Sequence, residues 1–126
     1  MNKEAKIILT IYSAGFLVGT STHVAGIIQQ GFLAHQAPLL FNLYWDSLTL
    51  LDPLTVLLLW TRIKFGVGLA VLIMVTDIGI NSYAYISGYL GELIDGMIPL
   101  PLFLQSLFGT FVFATSPVVM KRIKSV

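Results

Sequence analysis

Apolar residues dominate four stretches of the chain, and each stretch is close to the length that a helix needs to cross a bilayer. A hydrocarbon core of about 30 Å requires about 20 residues of α-helix. The four stretches cover residues 7–28, 40–60, 65–86 and 101–120. Short segments containing polar residues, glycine or proline separate them. The pattern therefore predicts an all-α integral membrane protein, a bundle of four transmembrane helices that forms a single domain over residues 1–126.

The composition supports the same class of protein. Of the 126 residues, 56% are hydrophobic and 10% are charged, and the mean hydropathy is +0.88. Soluble domains contain about 25% charged residues, so this chain has too few polar groups to cover a surface in water. The net charge is +1, no basic patch lies within the apolar stretches, and there is no cysteine. We therefore expect no nucleic-acid partner, and disulfides and thiolate metal sites are excluded.

The first apolar stretch follows Lys3 and Lys6, as the core of a secretory signal peptide would. It is longer than the core of a signal peptide, which has about 7–15 apolar residues, and no clear small-residue cleavage motif ends it. We therefore interpret this stretch as a membrane-spanning helix.

The positions of the basic residues predict the orientation. Every Lys and Arg precedes the first span, joins the second to the third, or follows the fourth: Lys3, Lys6, Arg62, Lys64, Lys121, Arg122 and Lys124. With four crossings these segments share one side of the membrane, and segments rich in Lys and Arg remain in the cytoplasm. We expect both termini to be cytoplasmic and the protein to reside in a bacterial inner (plasma) membrane. The loop on the opposite side carries Glu92 and Asp95.

Each predicted helix also carries a strongly polar side chain at membrane depth. At a rise of about 1.5 Å per residue from the nearest basic residue, five of them lie about 20–26 Å deep: His23, Asp46, Asp77, Asn81 and Gln105. In the first, third and fourth spans these residues share a helix face with small residues, as expected for faces packed against other helices. We therefore expect the side chains to converge on one polar cavity in the outer half of the membrane.

Asp52 lies closer to the midplane, about 15 Å from Arg62 along the helix, and it directly precedes Pro53. Asp followed by Pro is typical of a helix start, and proline within a helix removes a backbone hydrogen bond. Two interpretations remain open. Asp52 either caps a half-helix that begins at Pro53 or bonds neighbouring backbone, or it is a ligand or proton site on a broken helix.

The other polar residues have structural interpretations beside the functional one. Asp77 and Asn81 are four residues apart and can form a clasp between helices, although acids inside a membrane are functional by default. Gln105 can serve packing alone, and His23 can simply join two helices by a hydrogen bond. The sequence therefore names candidate ligand- or proton-binding residues without assigning any of them a catalytic role.

These side chains suit three functions. Carboxylates and histidine can hold or transfer protons, so the leading hypothesis is binding or transport of a small or lipophilic ligand through a polar pocket. The sequence leaves open whether such transport is coupled to protons. The first alternative is a membrane-embedded enzyme that acts by acid–base chemistry on a lipid-like substrate. The second is an accessory subunit of a membrane complex, in which the polar faces only specify assembly.

The expected partners are the lipid bilayer and the small-molecule or lipid-like ligand. No HxxxH, ExxH, GxxxxGK or GxGxxG motif is present, so we predict neither a metal site nor a cofactor. Gly15 and Gly19 share the polar face of the first span. Their spacing indicates close helix packing, either within the bundle or in a homodimer.

Overall fold

The computed structural model describes residues 2–90 and 97–124, and four α-helices account for most of them. Helix α1 comprises Lys3–Gln30, α2 Leu39–Thr61, α3 Ile63–Ile86 and α4 Leu100–Lys124. Each predicted span lies within one of these helices, so the prediction of an all-helical chain is confirmed. The loop acids Glu92 and Asp95 lie outside the described residues.

Local chemistry explains where α1 begins and ends and why α2 and α3 are antiparallel. The side-chain Oδ1 of Asn2 accepts a hydrogen bond of 2.9 Å from the amide of Ala5, which caps the first turn of α1. Gly31 ends α1 at a φ of +88°, a backbone conformation that favours glycine. Only Arg62 separates α2 from α3. The connection is therefore shorter than the predicted turn over residues 61–64, and it forces the chain to reverse at once.

The helices run alternately up and down, and each packs against its neighbours in sequence. Helix α4 returns against α1. Glu4 at the start of α1 forms an ion pair of 2.7 Å with Arg122 near the end of α4. Further along α1 from Glu4, the hydroxyl of Tyr12 donates a hydrogen bond of 3.0 Å to the carbonyl of Val112 on α4. The first turn of α1, the α2–α3 connection and the last turns of α4 therefore lie at the same end of the bundle, together with all the basic residues that the sequence places there.

Close packing holds the four helices together. The largest fully buried side chains are Leu9, Tyr12, Leu48, Thr55, Leu59, Val112 and Val119. Gly66 of α3 lies so close to α2 that a Cβ atom there would collide with the backbone of Leu58 and Leu59. Across from it, the indole Nε1 of Trp60 donates to the hydroxyl of Ser13 at 2.8 Å. Small residues and single polar contacts thus hold the helices together, as in membrane bundles.

The outer surface of the bundle is apolar. Large side chains such as Ile28, Leu50 and Leu72 are 78%, 75% and 58% exposed, an arrangement that water-soluble monomers avoid over large areas. Helices α1, α3 and α4 are long and apolar enough to cross a membrane, which indicates a membrane protein. Helix α2 is 23 residues long but is not among these three helices, and Asn42, Asp52 and Thr55 lie on its buried face.

Candidate functional site

Three polar side chains form a closed ring of hydrogen bonds between α3 and α4, which we call the clasp: Asp77, Asn81 and Gln105. The amide nitrogen of Asn81 donates to Asp77 Oδ1 at 3.1 Å and to Gln105 Oε1 at 3.0 Å. The amide nitrogen of Gln105 donates to Asp77 Oδ2 at 2.6 Å. Both carboxylate oxygens of Asp77 therefore have a donor, and the predicted clasp of Asp77 with Asn81 is present with Gln105 as a third member.

The clasp also holds α2. Trp45 on α2 is 4% exposed, and its indole Nε1 donates to Asn81 Oδ1 at 2.7 Å. One turn beyond Gln105, Gly109 lets α4 approach α3, because a Cβ there would lie 2.5 Å from the Cδ1 atom of Ile78. Side chains from three helices are thus tied to one point in the bundle.

Asp46 does not belong to the clasp. Its Oδ2 accepts a hydrogen bond of 2.7 Å from the backbone amide of Leu33, in the α1–α2 connection. Leu33 has a φ of +54°, the left-handed region that is uncommon for leucine. The expectation that Asp46 converges with Asp77 on one site is therefore wrong, because the α1–α2 connection folds back and its backbone binds this carboxylate.

Asp52 does not cap a half-helix. Helix α2 is continuous from Leu39 to Thr61 with Pro53 inside it, so the predicted helix cap and the predicted break in the helix are both wrong, whereas the ligand- or proton-binding role of Asp52 stays a prediction. Membrane helices tolerate proline where neighbouring helices support the backbone, and Leu48 and Thr55 on either side of Pro53 are fully buried here. Among residues 2–90 and 97–124, none donates a hydrogen bond to the Asp52 carboxylate, although Asp52 is only 5% exposed.

A cavity of about 520 Å³, which we call the central cavity, lies beside Asp52 and the clasp. The polar side chains in its wall are Thr22, His23, Asp52, Asp77, Asn81, Tyr85 and Gln105. The apolar part comes from Phe16, Ile73, Met74 and Phe108, and the rings of Phe16 and Phe108 contact each other edge to face at 5.6 Å. Gly19 completes the wall next to Asp52, where a Cβ atom would lie 2.6 Å from Asp52 Oδ2.

A second cavity of about 350 Å³, the loop cavity, lies under the α1–α2 connection. His23, His35, Trp45, Asp46 and Asn81 contribute to its wall. His23 and Asn81 line both cavities, whereas Asp46 lines only the loop cavity, and Asp52 and Gln105 line only the central cavity. The predicted polar residues thus occupy two adjoining cavities, and the expectation of one shared cavity is wrong in this respect.

Several residues that shape the site were not among the candidate site residues named from the sequence. Asn42 is 3% exposed and organises the α1–α2 connection, accepting from the amide of His35 at 2.9 Å and donating to the carbonyls of His35 and Ala37. The ring of His35 packs on Trp45 at 4.7 Å. The phenylalanines of the central cavity could not be distinguished in sequence from lipid-facing ones. Gly15 and Gly19 contact Phe108 and Asp52, so their packing role lies within the bundle.

The arrangement limits the chemistry that the site can perform. Over the described ranges, no three His, Cys, Asp or Glu side chains are grouped closely enough to hold a metal ion. Asp77 is occupied as a hydrogen-bond acceptor within the clasp, whereas Asp52 faces the central cavity and receives no hydrogen bond from the part of the chain that the structure describes. The site can therefore bind a ligand of mixed polar and apolar character, and it can exchange protons with that ligand through Asp52 or His23.

Comparison of this chain with protein-family models, with curated proteins and with solved structures found no match.

The Trp45–Asn81 hydrogen bond gives the clasp a spectroscopic signature. The chain has two tryptophans, so a Trp60→Phe background leaves Trp45 as the only one. In that background we expect Asn81→Leu to shift the Trp45 emission to shorter wavelength, because the indole loses its hydrogen-bond acceptor. The free energy of unfolding, measured by reversible denaturation in mixed micelles, should fall by about 1–3 kcal/mol for the lost interhelical bonds.

Thr110→Leu is the matched control, since the Thr110 hydroxyl is exposed and bonds only to its own helix, at the carbonyl of Ser106. It should change neither quantity. An Asn81→Leu emission spectrum identical to that of the Trp60→Phe parent would show that Trp45 is not bound to the clasp.

Proposed function

We propose that this protein binds a small lipophilic ligand in the central cavity and that the ligand reaches the cavity from the bilayer. The observation that carries the proposal is a cavity of about 520 Å³ whose wall combines aromatic side chains with a carboxylate that no described residue supplies with a hydrogen bond. Small-molecule sites have volumes of about 300–1,000 Å³ and mostly apolar walls with a few polar groups that fix the ligand. The central cavity has both properties.

The position of the opening supports entry from the side. Val18 of α1 and Leu104 of α4 belong to the cavity wall, yet they are 64% and 54% exposed on the outside of the bundle. The contacts of Glu4 with Arg122, Tyr12 with Val112 and Phe16 with Phe108 join α1 to α4 nearer the basic end. Beyond Phe16 the cavity therefore opens between α1 and α4 toward the apolar exterior.

The adjoining loop cavity extends this proposal to transport. Thr22, His23 and Asn81 line both cavities, so a ligand or proton leaving the central cavity would meet the loop cavity next. A route from the bilayer through both cavities would deliver it to the end of the bundle opposite the basic residues.

The second candidate function is an enzyme that acts by acid–base chemistry on a lipid-like substrate. The lateral opening favours it, as does the presence of Asp52 and His23 in one cavity, because both groups can exchange protons with a bound molecule. An accessory subunit is less well supported, since the clasp satisfies its polar groups within this chain rather than against a partner.

We further propose that α2 crosses the membrane with the other three helices and that both termini are cytoplasmic. Helix α2 has the required length, and its outer face carries exposed side chains such as Leu50, Leu54 and Leu57. Its polar residues Asn42 and Asp52 are buried inside the bundle. The basic residues at one end orient the bundle, and a bacterial inner membrane is the location that we propose.

Reporter fusions test this orientation. A reporter that is active only in the cytoplasm should be active at either terminus and after Arg62, and inactive when it is inserted after Gly88. Activity of the Gly88 fusion together with the terminal fusions would contradict four crossings.

Photolabelling tests ligand binding in the central cavity. The probe is trifluoromethylphenyl diazirine, a small uncharged lipophile, added to the protein in phosphatidylcholine nanodiscs. We expect labelling of Phe16 and Phe108 to saturate with probe concentration, because the cavity holds a limited number of probe molecules. Labelling of lipid-facing residues such as Leu72 should instead rise linearly, and peptide mass spectrometry separates the two.

A matched pair of variants locates the binding. Thr22→Trp places a large side chain where the two cavities meet, and it should abolish the saturable labelling of Phe108. Ser21→Trp should leave that labelling unchanged, because Ser21 is also exposed, also bonds its own helix backbone, and lines neither cavity. Linear labelling of Phe16 and Phe108 in the unaltered protein would overturn the proposed function.

A further inference from the structure

We propose that the ligand of the central cavity is a lipophilic amine whose ammonium group binds Asp52. This inference rests on the proposed function, since it names the chemical class of the ligand that the cavity takes. It follows from the state of Asp52, from the charges around the cavity and from the nature of the cavity wall.

Within the described residues, Asp52 lacks the hydrogen-bond donors that Asp77 has. Asp77 accepts hydrogen bonds from Asn81 and Gln105 on its two carboxylate oxygens. Asp52 is buried to the same degree, with 5% exposure against 9% for Asp77. Nothing in the described part of the chain donates a hydrogen bond to it, and its Oδ2 lies against Gly19 at the cavity wall. A buried carboxylate is stable only with a proton, hydrogen-bond donors or a cation. A cationic ligand would supply the charge compensation that the described residues do not give Asp52.

No Lys or Arg lines the central cavity in the described part of the chain. The seven basic residues of the sequence lie at the chain termini and at the α2–α3 connection. Among the described residues that line this cavity, His23 is the remaining group able to carry a positive charge, and the carboxylates of Asp52 and Asp77 belong to the same wall. The cavity therefore favours a positive ligand and disfavours an anionic one.

The wall selects an organic cation over an inorganic ion. Sodium or a divalent metal needs a shell of several oxygen ligands, whereas Phe16, Ile73, Met74 and Phe108 make much of this wall apolar. A volume of about 520 Å³ accommodates a hydrocarbon skeleton. Phe16 and Phe108 belong to the same cavity wall as Asp52, and aromatic rings attract ammonium groups that come within about 6 Å of the ring centre.

The test compares two probes with the same skeleton, 1-adamantanamine and 1-adamantanol. The amine is charged at neutral pH and the alcohol is not. Each competes with the diazirine for labelling of Phe108 in phosphatidylcholine nanodiscs, and each concentration is corrected for measured partition into the lipid. We expect the amine to compete at a concentration lower than the alcohol by about tenfold or more, as for a buried charge pair.

Three variants assign the preference to Asp52. Asp52→Asn keeps the shape of the side chain but cannot ionise. In this variant the amine should compete only at the concentration that the alcohol requires. Gly19→Ala should reduce the preference without altering the acid, because its Cβ would lie 2.6 Å from Asp52 Oδ2 and displace the carboxylate. Gly26→Ala on the same helix should retain the full preference, since its Cβ would meet nothing within 4 Å.

The outcomes separate this inference from the function on which it rests. Saturable labelling with equal competition by the amine and the alcohol would contradict the preference for an amine, but it would still support a ligand site in the central cavity. Competition by sodium or magnesium chloride as effective as that of the amine would also overturn it, in favour of an inorganic ion. Labelling that never saturates would contradict both the ligand site and the inference that its ligand is an amine.

Discussion

A carboxylate enclosed by apolar helices needs donors, a proton or a cation, because the interior supplies no bulk water to solvate its charge. The bundle contains two such groups and treats them differently. Asp77 is held by Asn81 and Gln105 in the clasp, which ties α3 to α4. Asp52 faces the central cavity with Gly19 at its side and no donor from the described residues. The first carboxylate contributes to the packing of α3 against α4, and the second lines the central cavity.

This division explains the shape of the cavity. The clasp and Trp45 tie α2, α3 and α4 together at one level, while Tyr12 and Phe16 join α1 to α4 nearer the basic end. The space between these two sets of contacts is the central cavity, and it is bordered on one side by exposed apolar residues of α1 and α4. A ligand that enters there meets apolar walls before it meets Asp52.

Much of the fold could be predicted from the sequence, because the lengths of the apolar stretches and the short connections leave few arrangements of four helices. The clasp was also predictable in part, since Asp77 and Asn81 are four residues apart and Gln105 lies at a similar depth. The estimate of depth did not predict the position of Asp46. Counting residues along a helix cannot show that the α1–α2 connection folds back and that the amide of Leu33 donates a hydrogen bond to this carboxylate.

The remaining errors have similar causes. The Asp52–Pro53 pair has the local chemistry of a helix start, but tertiary packing of Leu48 and Thr55 keeps α2 continuous. The apolar side chains of the cavity wall could not be predicted from the sequence for a different reason. In a membrane protein, phenylalanine suits lipid and cavity equally well, so Phe16 and Phe108 cannot be assigned to the interior from the sequence alone.

The central claim is that Asp52 is a carboxyl group inside the bundle that is reachable from the bilayer. Dicyclohexylcarbodiimide, a lipophilic reagent that forms a stable N-acylurea with carboxyl groups in apolar surroundings, measures this directly when the adduct is located by peptide mass spectrometry. The structure predicts modification of Asp52 in preference to Asp77, whose oxygens are engaged in the clasp. Modification of Asp77 or Asp46 with Asp52 unreacted would contradict the account.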